Sequence, residues 1–294
     1  MNEKPLVSVI TPTYNAGAYL RDTIRSVLGQ TYSNLEHIII DDGSTDDTAE
    51  VVRAFSDPRV KYFHQKNSGQ SAARNAGIAA AKGEYVALLD ADDFFLPDKL
   101  SEQVGYLEAH PDCGFCYCKV YHFFHNDPGK TYYFAMENPS GYLFDKLLMS
   151  NFINPLSVVI RKDLLEKYGG FEPAYRWIDE QYLWLKLAYR KVKFCYLDKA
   201  LGYCRLHKES FTNRPQYFQK SQEEYLKILQ LIKTWMSETE ISTYNLHKLE
   251  QKLKVRVALG KLIAGGNVFA RLLHALYLLN RRRRLKHIGS RAGG

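Results

Sequence analysis

The 294-residue chain has no uninterrupted apolar run approaching the ~20 residues that a bilayer-spanning helix needs. Any meeting with a membrane is therefore expected from one side only. Cysteine is sparse, with five residues. The amino terminus, Met1-Asn2-Glu3-Lys4-Pro5, has no signal-peptide pattern. The odd count is read as reduced thiols in a cytoplasmic protein. Cys113, Cys116 and Cys118 cluster, which makes zinc conceivable, but they sit in an apolar run that reads as a strand. No second cluster stands at zinc spacing, so buried structural cysteine is expected. No G-x-G-x-x-G follows the first apolar run, and no G-x-x-x-x-G-K-[ST] occurs anywhere. These absences exclude the dinucleotide fingerprint and the P-loop. No RNA-binding motif is visible either.

What is present is an ordinary globular composition, 46% hydrophobic, with 40 Lys and Arg against 32 Asp and Glu. The formal charge of +8 points to an anionic partner: a nucleotide, a nucleic acid or an acidic membrane surface. Arg281, Arg282, Arg283, Arg284, Lys286 and Arg291 gather at the carboxyl end.

Tyr85-Val86-Ala87-Leu88-Leu89 runs straight into Asp90-Ala91-Asp92-Asp93. A continuous apolar run without helical spacing suits a strand buried on both faces of a parallel sheet. The carboxylates would then lie at its carboxyl end, where open α/β sheets place ligands. If the chain stays extended, Asp90 and Asp92 point to one side and repel each other unless a cation lies between them. A hard divalent ion that also holds phosphates fits that description; an acidic turn capping the next helix is the plainer alternative. Around this stretch strand and helix alternate from residue 6 to about 110. Leu6–Ile10 leads into a proline-bearing turn, Thr11 to Asn15. A helix with Leu20, Ile24, Val27 and Leu28 on one face follows. Leu35–Ile40 ends in Asp41 to Asp46, where Ser44 or Thr45 can cap the next helix. Val60–His64 precedes Asn67-Ser68-Gly69 and a helix lined with Ala and Gly, from Ser71. The alternation predicts a parallel sheet with helices on both faces, its polar strand ends opening on one edge. Gly43 and Gly69 let backbone N–H groups approach phosphates.

From residue 114 the texture changes to aromatic strands, then Gly169-Gly170-Phe171 and a helix over 178–188 with Asp179 and Glu180 in its first turn. Acids there also suit the helix dipole. Beyond about 215 the spacing of Tyr225, Ile228, Leu229 and Ile232, and of Leu246, Leu249, Leu253 and Val257, is helical. A last helix carrying Phe269, Leu272, Leu273, Leu276 and Leu279 ends in the arginines. It is expected either to pack on the rest of the protein or to anchor at an anionic inner membrane surface.

Taken in series, these motifs resemble the family 2 glycosyltransferases, whose nucleotide-sugar-binding fold is called GT-A. The match runs from residue 6 to about 210, through Val7 to Asn15, Asp41 to Asp46, Asn67 to Gly77, Asp90 to Asp93, Gly169 to Phe171 and the acidic pair before Leu183-Trp184-Leu185. The resemblance implies an α/β, Rossmann-like mostly parallel sheet flanked by helices. That catalytic domain covers 1–212, with a nucleotide-binding half at 1–110 and an acceptor-side half at 111–212, followed by an all-helical extension at 213–294. It implies inverting transfer of a sugar from a nucleoside diphosphate, UDP by family habit, to a hydroxyl of a carbohydrate or lipid-linked acceptor, with Mn2+ or Mg2+ and no nucleic acid. Carried onto this chain, the donor-binding residues are Thr11, Pro12, Tyr14, Asn15, Asp42, Asn67, Gly69, Arg74, Asp90 and Ala91. Asp92 is the metal ligand, with His207 beside it. The usual Glu-Asp pair is inverted here to Asp179-Glu180. Counting back from Leu183 puts Glu180 in the place of the base, with Asp179 as the alternative. A sugar nucleotidyltransferase, an inactive donor-binding scaffold and an RNA-binding protein are the rival readings.

Overall fold

In the computed structural model the residues described are 4–134, 138–208, 210, 216–264 and 285–290. Strand β1 (Val7–Thr13) is buried along its whole length, as a run of Val and Ile without alternation requires. Helix α1 (Gly17–Leu28) buries Leu20, Ile24 and Val27 and exposes its charged residues. β2 (Leu35–Asp41), α2 (Thr48–Arg53), β3 (Val60–His64), α3 (Gln70–Ala80) and β4 (Tyr85–Leu88) follow in alternation. The β1–β2, β1–β4 and β2–β3 pairs are all parallel, so their carboxyl ends share one edge. α3 lies close on β1. A Cβ added at Gly77 would come within 2.4 Å of the Ile10 side chain, which is why a small residue stands there.

Beyond residue 110 the sheet becomes mixed, as a mostly parallel sheet allows. β5 (Phe94–Phe95), α4 (Lys99–Ala109), β6 (Phe115–Phe124), β7 (Asp127–Phe134), α5 (Phe144–Met149), β8 (Val158–Arg161), α6 (Lys162–Tyr168), α7 (Asp179–Tyr189) and β9 (Phe194–Leu206) complete the sheet-bearing unit. β8 enters antiparallel beside β4, β6 runs antiparallel to β8, and β7 to β6. The strand order is β3-β2-β1-β4-β8-β6-β7, and β10 (Leu285–Ser290) lies next to β7. β9 is a 13-residue strand that pairs with β5 and β6. β1 also runs on through Thr11, Pro12 and Thr13, where a turn was expected. Its pairing with β4 stops at Ile10 while that with β2 continues to Thr13. Pro12 therefore stands where one side needs no ladder donor, the position in which a sheet tolerates proline.

Five reduced thiols were expected, but Cys113 and Cys195 form a disulfide across 82 residues, leaving Cys116, Cys118 and Cys204 as thiols. The turn before β6 and the start of β9 are brought together by the Gly114 N–H to Lys193 carbonyl bond. No spacing rule in the sequence could have announced that pairing.

The chain divides into two compact units, Met1–Arg205 with His287–Gly294, and Leu206–Lys286. The second contains α8 (Tyr217–Lys233), α9 (Glu238–Thr243) and α10 (Leu246–Ala264). Tyr225, Ile228, Leu229 and Ile232 of α8 and Leu246, Leu249 and Leu253 of α10 are its buried faces, as their spacing predicts. α9 starts with a capping box between Ser237 and Glu240. The expected last helix, with Phe269 to Leu279 and the four arginines, lies outside the described residues. Among the described residues no helix is long and apolar enough to cross a membrane.

Candidate active site

The carboxylate of Asp42, just past β2, is turned inward. Its Oδ1 accepts from Gln65 Nε2 and the Ser68 N–H, and its Oδ2 from the Gly69 N–H, each at 2.8 Å. A carboxylate offers about four acceptor positions, so one at Oδ2 is left for a donor's base. The main work of Asp42 is to fold the 65–69 loop over the end of the sheet. Gly69 and Gly43 meet that fold with φ of +92° and +84°, conformations in which a side chain would be strained. A Cβ at Gly43 would also stand 3.0 Å from the Asn67 nitrogen. Asn67 itself is exposed on this loop.

Asn15 joins the ends of β1 and β2. Its Oδ1 accepts from the Thr45 N–H at 2.8 Å and its own N–H donates to Ser44 Oγ at 2.9 Å. Ser44 and Thr45, expected as helix caps, are used here instead. Tyr14 beside them is 53% exposed, an aromatic face open to a planar base. Thr11 and Pro12 do not join it. Thr11 is fully buried with Oγ1 bonded to His37 Nε2 at 2.9 Å, and Pro12 is buried in the strand. They were expected as base contacts; the extension of β1 buries both side chains.

The centre of the site is Arg74 on α3, only 2% exposed. It was expected near the donor's base or phosphates, but its guanidinium is taken by protein carboxylates. Nη2 donates to Asp90 Oδ1 at 2.8 Å and Nη1 to Asp179 Oδ2 at 3.1 Å, joining residues 105 positions apart. Phe171 of the Gly-Gly-Phe segment lies under it, ring centroid 5.0 Å away. Burial pulls the Arg74 pKa down, and the charges of Asp90 and Asp179 more than reverse that, holding the guanidinium ionised. Asp179, 5% exposed in its side chain, also accepts from Ser71 Oγ at 2.8 Å. Gln70 Nε2 reaches Asp90 Oδ1 at 3.1 Å. The first turn of α3 thus holds the end of β4 and the start of α7 together.

Glu180, next to this anchor, is only partly buried. Burial, then the charge of Asp179 and a hydrogen bond to it, push the Glu180 pKa well above the usual carboxylate range, while Arg74 pulls it back. The two acids are therefore unequal in their partners: Asp179 is held by Ser71 and Arg74, and Glu180 beside it has its pKa raised.

Asp90 to Asp93 form a tight turn closed by the Asp93 N–H to Asp90 carbonyl bond at 3.1 Å. This corrects the expectation of an extended pair, in which Asp90 and Asp92 point the same way. Ala91 packs inward against Leu20 and Ile24, so its side chain makes no donor contact. Asp92 is partly exposed and Asp93 buried. Burial, then Asp92 and Asp90, raise the Asp93 pKa well above its ordinary value.

What holds this turn is a residue no motif announced. Arg205, at the end of β9, donates its N–H to Asp93 Oδ1 and its Nε to the Asp92 carbonyl, both at 2.9 Å. Its Nη2 reaches Asp22 Oδ2 of α1 at 3.0 Å. The guanidinium lies near the rings of Tyr19 and Phe123, at 5.2 and 5.0 Å. The only sequence signal was a cation two residues before the His207 already singled out.

Among the described residues no three His, Cys, Asp or Glu side chains converge on a metal position. The donor set still fits a cation of the magnesium type, which usually takes one or two carboxylates and completes its shell with water and substrate phosphate; Asp92, partly exposed, would be the carboxylate to hold it. His207 belongs to the second unit, where its N–H donates to Ser210 Oγ at 3.1 Å. A surface cavity lined by Glu84, Arg161, Lys162, Asp163 and Glu166 lies at the opposite end of β4 and gathers none of these groups.

The structure therefore links Asp42, Gly69, Arg74, Asp90, Asp179 and Glu180 through α3, with Asn15, Tyr14 and Asp92 at the same sheet edge. The family model described as glycosyl transferase family 2 matches residues 8–169. Over 216 residues the chain is 34% identical to the putative teichuronic acid biosynthesis glycosyltransferase TuaG of Bacillus subtilis (strain 168), covering 72% of this chain and 83% of that protein. It spans 17% to 66% of the length of five other curated relatives, from Rickettsia and Haemophilus influenzae. Among solved structures, S. aureus TarS 1–349 in complex with UDP-GlcNAc superposes with a TM-score of 0.63 at 20% identity, over 85% of this chain and 72% of that one. The mannosyltransferase PcManGT from Pyrobaculum calidifontis, in complex with GDP-Man and Mn2+, gives 0.61 at 20%, over 95% and 81%. At such identity the likeness is one of fold.

Proposed function

The chain belongs to glycosyl transferase family 2 and has the GT-A fold, and from that premise we propose that it transfers a sugar from a nucleoside diphosphate, UDP in the first instance, to an acceptor hydroxyl with inversion. The acceptor is a carbohydrate or lipid-linked intermediate of cell-surface polysaccharide or glycolipid synthesis, a setting supported by the similarity to TuaG. The observation that carries the reading is the Arg74 bridge. It sets a donor-side carboxylate, Asp90, and the acid pair Asp179-Glu180 on one rigid helix turn.

In this reading Tyr14 stacks on the base, Asp42 accepts one hydrogen bond from it through Oδ2, and Asp90 meets the ribose. A divalent cation at Asp92 would neutralise charge on the leaving diphosphate. Glu180 takes the proton of the acceptor hydroxyl as it attacks. Asp179 is a poor candidate for that step, because its Oδ2 already accepts from Ser71 and Arg74. It serves as the negative charge that raises Glu180, and a carboxylate raised toward the working pH is the stronger base. One base facing the donor from the acceptor side gives inversion without a covalent intermediate.

Replacing Glu180 with Gln is expected to cut transfer by about 10²–10⁴-fold while nucleotide-sugar binding, measured by calorimetry, stays close to wild type. Because the base must be ionised, wild-type turnover should fall as pH drops through the raised Glu180 pKa. A fully active Glu180→Gln enzyme refutes the assignment.

A further inference from the structure

α10 has two apolar faces where a helix packed on one side needs only one. Leu246, Leu249 and Leu253 are buried, on the face turned to α8. At about 3.6 residues per turn, Val255, Leu259 and Leu262 fall on the opposite side. Val255 is 69% and Leu262 53% exposed. Lys248 and Lys252 continue this strip toward the amino end and Arg256 stands beside it, all exposed, while Lys254 and Lys261 lie on the flank nearer α8, Lys254 on Glu250 and Lys261 near Glu223. The acid nearest to them on the helix, Glu250, points aside and is held by Lys233 and Lys254 at 3.1 and 2.8 Å.

We propose that this face of α10 is a docking surface for an anionic lipid membrane. Charge selects the occupant. A second copy of the chain would set the same cations, Lys248, Lys252 and Arg256, against each other. A polyanion such as RNA would neutralise the lysines and leave Val255 and Leu262 in water. A bilayer interface satisfies both parts: the aliphatic groups enter the boundary between headgroups and acyl chains, and the lysines extend their charges to the lipid phosphates. The proposal stands on the second unit alone and does not depend on the donor or base assigned above.

The test is flotation of the purified full chain with vesicles of equal parts phosphatidylglycerol and phosphatidylcholine, against pure phosphatidylcholine, at low and high salt. Binding is expected to the anionic vesicles only and to weaken with salt. Val255→Ser with Leu262→Ser should reduce it strongly. Neutralising Lys248, Lys252 and Arg256 to Gln should lower it by about a hundredfold, at about fivefold per cation. All five positions are exposed, so thermal melts should match wild type. Equal binding to both vesicles, no vesicle binding, retention of polyuridylate instead, or wild-type binding by the Val255→Ser/Leu262→Ser chain each overturns the proposal.

Discussion

At the scale of single residues, burial decides which charges the protein can keep. His37 sits inside β2 with Nε2 on Thr11 and no partner for Nδ1. Desolvation lowers its pKa from 6.5 to about 3, so it folds as the neutral ring. The unfolded chain takes up a proton near pH 6.5 that the folded one refuses until about pH 3. The stability associated with neutral His37 is therefore complete above the unfolded pKa and lost as pH falls toward the folded one, on the order of 5 kcal/mol over the whole interval. Urea unfolding of wild type between pH 7 and 4 should show this decline, and His37→Gln should flatten it; an unchanged slope would sink the account. Arg205 makes the second residue-scale case. It touches the Asp92 carbonyl and Asp93 rather than any expected ligand atom, so it positions the turn. Arg205→Lys keeps the charge but loses the fork. It should raise the Mn2+ concentration needed for donor binding by about 10–100-fold, as loss of ligand-orienting contacts does, with turnover restored at high metal. Metal titration by calorimetry reads this directly, and an unaltered Mn2+ requirement counts against it.

At the scale of elements, α3 is where the site is built. Gly77 lets it lie on β1, and Ser71 and Arg74 nearer its amino end reach α7 and the end of β4. The Ala- and Gly-rich composition of this helix made close approach readable in advance. That its arginine would be spent on two carboxylates was not, because one of them lies 105 residues away and behind an antiparallel insertion. Removing one partner of a buried ion pair typically costs about 3–5 kcal/mol. Arg74→Met is therefore expected to destabilise the fold by about that much, and Asp179→Asn added to it should recover part of the loss, since no orphaned charge then remains at α7. Urea midpoints of the single and double variants measure the coupling. The same change lifts a field that lowers the Glu180 pKa, so the acid limb of any residual activity should move to higher pH. An acid limb that stays in place would detach Arg74 from the base.

At the scale of the molecule, local order was readable and long-range order was not. The four parallel strands and their helices follow from apolar runs and turn residues at short range. The entry of β8 between β4 and β6, the single long β9, the Cys113–Cys195 pair and the reach of Arg205 all depend on contacts between distant segments, which periodicity does not encode. The division into two units has its own consequence, because a chain of this kind has no obligation to melt in one transition. Tyr14, Asp42, Arg74, Asp90, Asp92 and Glu180 all belong to the first unit. A nucleotide sugar at 100 times its dissociation constant stabilises the species that binds it by about 2.7 kcal/mol. Scanning calorimetry with UDP-, GDP- and dTDP-sugars should therefore raise the transition of the sheet-bearing unit, more so with Mn2+, and leave that of α8–α10 in place. Asp92→Ala should erase the metal-dependent increment and spare the rest. If no nucleotide sugar moves either transition, the donor site proposed at the carboxyl edge of β1, β2 and β4 is wrong.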